Sequence, residues 1–213
     1  MSLVKQVIAE ALDILFPPTC PACGRPSEIL FCPACEDGLE RSPGPVLPGP
    51  DDDFEIQISP FVYGGPLARA VVRFKHGDVP ALGSRLAAAG LAAAPPPACD
   101  LAIPVPLHPH RLASRGFNPA GILARRVARA AGALFSPGLL RRIRDTPSQG
   151  GLSAAGRAEN VRSAFACMRP LEGRSIVLVD DVWTTGATAR ACAAALAQRG
   201  GSRIVVWTLA RVE

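Results

Sequence analysis

Apolar positions follow two rhythms along this chain, and the change of rhythm divides it. Leu3, Val4, Val7, Ile8, Ala11, Leu12 and Leu15 recur at i, i+3, i+4 spacing behind Ser2, a suitable N-cap, and Pro17-Pro18 stop the pattern. A helix is therefore expected over 2–16. From residue 54 onward, apolar runs alternate with helical periods. Strands are predicted over Phe54–Tyr63, Asp100–Val105, Leu139–Arg144, Ser175–Asp180 and Arg203–Leu209. Helices are predicted over Pro66–Lys75, Pro80–Ala94, Ser153–Ser163 and about Ala187–Arg199, the last ended by Gly200-Gly201. One more helix runs from the cap Asn118, with Pro119 in its first turn, to about Ala131. Continuously apolar strands alternating with helices imply an α/β domain whose mostly parallel sheet is covered on both faces.

Between the two regions, residues 41–53 hold four prolines, two glycines and three consecutive aspartates, the composition of a linker. The expected organisation is an N-terminal helix, a cysteine-rich finger and a linker over 1–53, then the α/β domain over 54–213. With 213 residues, 48% of them hydrophobic, the chain can bury one substantial core. No apolar run approaches the 18 residues of a membrane span, and residues 1–16 mix charge with apolar positions, unlike a signal peptide. A cytoplasmic protein without membrane insertion is expected.

Charge is distributed unevenly. Residues 1–56 carry three basic and ten acidic side chains, whereas residues 111–174 carry twelve arginines against Asp145, Glu159 and Glu172. A segment of net charge +9 suits a polyanionic small molecule or nucleic acid, or is a solvated basic surface.

Chemistry concentrates at Ile176-Val-Leu-Val-Asp180-Asp181-Val-Trp-Thr184-Thr185-Gly186-Ala187-Thr188. A buried strand delivers two carboxylates at its carboxyl end, where α/β sheets bind ligands. Its turn then supplies hydroxyls, a glycine that admits close approach, and a helix N-terminus, all suited to a phosphate monoester. Adjacent carboxylates can accept hydrogen bonds from vicinal sugar hydroxyls. A Walker B strand would need a Gly-x-x-x-x-Gly-Lys-Thr/Ser loop, but the lysines, Lys5 and Lys75, lie in no such loop.

Those thirteen positions resemble the signature by which type I phosphoribosyltransferases bind 5-phosphoribosyl-1-pyrophosphate (PRPP). The stretch Ile103-Pro-Val-Pro-Leu-His108-Pro-His-Arg111-Leu-Ala-Ser-Arg115-Gly116-Phe117-Asn118 narrows the likeness. So do Thr146, Gln149, Leu152, Arg157, Asn160 and Ala164-Phe165, which fall in the family's order. Together they resemble the ComF family of competence-associated phosphoribosyltransferase-like proteins. Pro119 departs from the family's usual Gln, which removes one side-chain contact while suiting a helix start.

The resemblance implies a type I phosphoribosyltransferase fold and a Mg²⁺-dependent transfer with release of pyrophosphate. Asp180 and Asp181 would be the catalytic residues, their carboxylates holding the ribose hydroxyls and, directly or through water, Mg²⁺. Thr184, Thr185, Gly186, Ala187 and Thr188 would hold the 5′-phosphate. Arg111 and Arg115 fall on the family's pyrophosphate loop, and guanidinium forks suit phosphate oxygens. Enzymes of this class that salvage 6-oxopurines place an acid where this chain has Thr184, so hypoxanthine and guanine are not expected acceptors. The polar, basic segment Arg141–Arg157 reads equally as a cover over a reactive centre or as a nucleic-acid contact. His108 and His110 receive no role.

Cys20-Pro-Ala-Cys23-Gly24 and Cys32-Pro-Ala-Cys35 form two Cys-x₂-Cys pairs. Four thiolates at this spacing suit a closed, structural Zn²⁺ site, and Gly24 frees the first turn. Disulfides are the alternative, disfavoured in a cytosolic chain. Cys99, Cys167 and Cys192 are expected in packing. Three functions stay open at this point: a phosphoribosyltransferase, a non-catalytic DNA-uptake protein that meets single-stranded DNA or a helicase, and a PRPP-sensing regulator. Aromatic residues make up only 5% of the chain, which weakens base stacking along a single strand.

Overall fold

The computed structural model describes residues 18–76, 80–143 and 164–213. The helices expected over 2–16 and Ser153–Ser163 lie outside these residues, as does most of Arg141–Arg157. So do Thr146, Gln149, Leu152, Arg157 and Asn160.

In chain order the elements are α1 (Pro33–Glu36), β1 (Ile56–Ile58), β2 (Phe61–Val62), α2 (Gly65–His76), α3 (Pro80–Ala93), β3 (Leu101–Pro104), α4 (Pro109–Arg115) and α5 (Pro119–Ala130). Then come β4 (Leu134–Phe135), β5 (Leu140–Arg142), β6 (Phe165–Cys167), β7 (Ser175–Trp183), α6 (Ala187–Ala197) and β8 (Arg203–Arg211).

The main sheet runs β1-β8-β7-β3-β4, every pair parallel, with β2 continuing along β8 beyond β1. β5 and β6 form a separate antiparallel ribbon. This is the expected α/β class, a mostly parallel sheet flanked by helices and joined to a small cysteine module. The strand expected over Phe54–Tyr63 is split into β1 and β2, yet both pieces keep one register against β8. The interruption falls at Ser59-Pro60, where proline has no N–H for the ladder.

Alternation along the strands builds two cores. Val177, Val179, Trp207 and Leu209 face Phe74 of α2, Leu86 of α3 and Leu123 and Val127 of α5. Ile176, Leu178, Ile204 and Val206 face Cys192 and Leu196 of α6, together with Leu140 and Phe165 of the ribbon. Gly90 of α3 lets that helix lie on Trp207, since a Cβ there would stand 3.1 Å from the indole ring. The indole N–H donates to the Ala94 carbonyl at 2.8 Å. Cys99, Cys167 and Cys192 are all buried, as expected of packing residues.

Residues 41–46 lie along the sheet's edge, and residues 49–53 lie against α6. Val46 and Gln57 exchange backbone hydrogen bonds of 2.8 and 2.9 Å, and the Ser42 N–H donates to Pro60 O. Among the described residues no helix is long and apolar enough to cross a membrane.

Candidate functional site

β3 leaves the sheet through α4 and α5 toward β4, on one side. β7 leaves through α6 toward β8, on the other. Neighbouring parallel strands whose connections diverge open a crevice at their carboxyl ends, the usual ligand position in such sheets. Asp180 and Asp181 stand at that point on β7.

The strand does not stop at Asp180, as its apolar run suggests. It continues to Trp183 because β8 keeps pairing with it, Asp180 opposite Thr208 and Trp183 opposite Arg211, while β3 ends its pairing at Val179. Successive strand residues face opposite ways, so the two acids have different surroundings. Asp181 lies on the α2 face, where Lys75 Nζ donates to its Oδ1 at 2.8 Å. Asp180 lies on the α6 face and lines a small cradle with Thr184, Gly186, Ala187, Thr188 and Thr208. Burial, then the charge of Asp181, push the Asp180 carboxyl up to about 8. The Asp181 N–H, donating to it at 2.8 Å, and the charge of Lys75 oppose this. Burial and the nearby Asp180 also push the Cys192 thiol well up.

Gly186 caps α6 with φ 75°, and a Cβ at this position would strike the Trp183 ring and the Arg190 guanidinium. The first-turn N–H groups of α6 have no helical carbonyl to bond, so the cradle is lined by donors. The Thr185 hydroxyl accepts from the Ala187 N–H at 3.4 Å. Arg190, which sequence reasoning missed, fixes the turn. It stacks over Trp183, donates to the Thr185 carbonyl at 2.6 Å, and pairs with Asp52 at 2.7 Å. Thr184, Thr185 and Thr188 are exposed.

Arg111 and Arg115 sit on a short helix, α4, rather than in a loop. The Asn118 side chain caps the next helix, accepting from the Ala120 N–H at 3.1 Å. With Lys75, His76 and Ser114 the two arginines line a chamber of about 570 Å³. Lys75 thus touches both Asp181 and the chamber. Its contact bridges 106 positions, and nothing in the local sequence around either residue signals it.

The four-cysteine module forms a separate centre. All ligand atoms of Cys20, Cys23, Cys32 and Cys35 lie within 4.8 Å of one another, and Cys23 and Cys32 Sγ are 3.6 Å apart. Zn–S bonds of about 2.3 Å in a tetrahedron put sulfurs about 3.8 Å apart, so the thiols fit zinc. They are not disulfide-bonded. Gly24, at φ 78°, closes the first turn, and the one-turn helix α1 carries the second pair. Burial works against a Cys20 thiolate, but N–H groups of Cys32, Ala22 and Cys23 outweigh it and bring that thiol down to about 6. Burial and the neighbouring thiols push Cys35 up to about 12. Cys20, Phe31, Cys32 and Cys35 join the core beside Leu67 of α2, and Arg69 donates to Ala22 O at 3.0 Å.

Residues 11–46 match the model of a double zinc ribbon domain, and one four-cysteine set falls in that span. The site is a structural zinc site. DNA utilization protein YhgH of Salmonella typhi is 31% identical over 204 residues, 90% of this chain and 83% of that protein. Competence protein ComFC of Bacillus subtilis is 27% identical over 190 residues, 85% of this chain and 72% of its own. Competence protein F of Haemophilus influenzae is 37% identical over 112 residues, 51% of this chain and 49% of that relative. The crystal structure of TT1426 from Thermus thermophilus overlaps 65% of this chain and 85% of its own at TM-score 0.33 and 18% identity, too loose a match to argue from.

Proposed function

The chain belongs to the ComF family, and from that premise we propose that it binds PRPP at the carboxyl ends of β3 and β7 and transfers the phosphoribosyl group to an acceptor, releasing pyrophosphate. One observation carries this reading. The acid pair of β7 runs directly into a hydroxyl-bearing cradle closed by α6, beside a chamber lined by Lys75, Arg111 and Arg115. The cradle suits the 5′-phosphate, the carboxylates suit the ribose hydroxyls, and the cationic chamber suits pyrophosphate.

Displacement of pyrophosphate from the anomeric carbon passes through an oxocarbenium-like state, so positioning and charge stabilisation dominate. Thr184, Thr185 and Thr188, with the first-turn N–H groups of α6, fix the sugar at its phosphate end. The Asp181 carboxylate would favour positive charge developing on the ring. Arg111 and Arg115 withdraw the charge accumulating on the leaving group. Asp180 and Asp181 offer the hard oxygen donors that Mg²⁺ prefers, and the ion would supply further positive charge to the leaving pyrophosphate. Thr184 presents no carboxylate to a base, which argues against 6-oxopurine acceptors.

Calorimetry with PRPP, with and without Mg²⁺, tests the reading. Binding should require Mg²⁺ and should vanish in Asp180→Asn/Asp181→Asn while the far-ultraviolet spectrum stays native. Unchanged affinity in the double variant sinks the assignment. Binding without turnover would favour the sensing role.

A second reading, DNA handling, is favoured by a separate feature. Arg125, Arg126 and Arg129 of α5 are exposed along a groove of about 390 Å³ beside Pro80 and Ser84 of α3. Relatives are named for DNA utilization and competence. Single-stranded DNA or a DNA-uptake helicase would be the partner. Replacing the three arginines should weaken DNA binding and flatten its salt dependence.

A further inference from the structure

Lys75 is the residue through which the acid pair and the cationic chamber touch. It lies one residue from the end of α2, its Nζ is 2.8 Å from Asp181 Oδ1, and its side chain borders the chamber with His76, Arg111, Ser114 and Arg115. The Lys75 and Asp181 side chains keep 23% and 16% of their surface exposed, so water reaches the pair and weakens it. A lysine ammonium on a flexible four-carbon stem can exchange one oxygen partner for another without moving the backbone. The planar guanidinium forks of Arg111 and Arg115 are less free to do so.

We propose that Lys75 is a movable third cation of the pyrophosphate chamber. Asp181 holds it in the empty chain, and phosphoryl oxygens entering beside Arg111 and Arg115 draw it across. The inference rests on the reading of the chamber as a pyrophosphate site. It adds a coupling: each ligand that fills the chamber frees Asp181 for the sugar. Asp181 and the ligand then compete for one ammonium, and the competition sets the sign of a measurable effect.

The test is calorimetry of the intact chain with inorganic pyrophosphate in the absence of divalent metal. Lys75→Met should weaken binding about tenfold, the loss of one charge-assisted contact. Asp181→Asn should strengthen it by roughly three- to tenfold, because the ammonium is no longer held back. In the Lys75→Met background the Asp181→Asn change should alter affinity by no more than about twofold, the share due to removing a nearby negative charge. If Lys75→Met does not fold, Lys75→Arg replaces it. That variant keeps the charge on a stiffer head and should respond less to Asp181→Asn than the wild-type chain does.

An ion pair that merely supports the chamber predicts the opposite sign for Asp181→Asn, a loss of affinity, and a fixed pair predicts the same Asp181→Asn gain in both backgrounds. Asp181→Asn that leaves pyrophosphate affinity unchanged or lower overturns the assignment. So does a gain of equal size in the Lys75→Met background, and so does a wild-type chain that binds no pyrophosphate. A chain that binds pyrophosphate with the expected signs but never PRPP would leave Lys75 in place and overturn only the broader function.

Discussion

Asp180→Asn should make the folded chain relatively more stable as pH rises. The Asp180 carboxyl is pushed from an ordinary 3.8 up to about 8, chiefly by burial and then by Asp181. A raised folded-state value means that the native chain keeps a proton which the unfolded chain has released. The stability this proton contributes is fully present below about pH 4 and is lost as pH rises through about 8. Between pH 5 and pH 7 the full linkage slope is about 1.4 kcal/mol per pH unit, an upper limit near 3 kcal/mol over that interval. Asp180 is only half-buried by its exposed surface, and solvent on its open side screens the penalty. Discounting for this leaves about 1–2 kcal/mol. Asparagine has nearly the same shape and does not titrate. Urea unfolding of both chains at pH 5, 6, 7, 8 and 9, at constant ionic strength, should show their difference growing in the variant's favour and levelling above about pH 8. Titrating groups that do not touch Asp180 cancel in the difference. A pH-independent difference refutes the reasoning. A difference that favours the wild-type chain as pH rises would mean that Asp180 is held ionised.

Three further outcomes are expected. Elemental analysis should find one zinc per chain, and Cys23→Ser or chelation should lower the melting temperature, because the knuckle shares its core with α2. Gly186→Ala should cost about 1–3 kcal/mol and reduce phosphate affinity, as a side chain at φ 75° must displace Trp183 or Arg190; chemical denaturation and phosphate titration check both parts. Arg111→Ala with Arg115→Ala should weaken PRPP binding strongly but ribose-5-phosphate binding little. Should the arginines serve DNA instead, the same double variant would spare PRPP and lose single-stranded DNA affinity.

Long-period features were readable from sequence. The buried runs of β7 and β8, the Asn118 cap with Pro119 behind it, and the two cysteine pairs each carry their own local signal. What escaped depends on distant partners. Nothing in Asp180-Asp-Val-Trp183 announces that the strand persists, because Thr208 to Arg211 supply the pairing that prolongs it. That persistence is what turns the two carboxylates to opposite faces. β4 and β6 are two and three residues long, too short for any period to appear. α4 did leave signals, Pro109 at its start and Gly116 at φ 76° at its end, but its seven residues bury none of their side chains and show no apolar stripe. Residues 41–53 look like a linker by composition, yet backbone groups of Ser42 and Val46 pair with the sheet edge and Asp52 pairs with Arg190 of α6.

The placement of β8 fixes when the site can exist during synthesis. β8 lies between β1 and β7, and Ser59 meets Thr208 across 149 positions of chain. On the ribosome, the end of β7 from Asp180 to Trp183 has no ladder partner on its β8 side until residues 208–211 have left the exit tunnel. Until then its backbone edge is open to other chains, as happens when non-local parallel pairing completes late. Chaperone supply while the end of β7 stands unpaired should therefore govern how much of the chain reaches a binding-competent form.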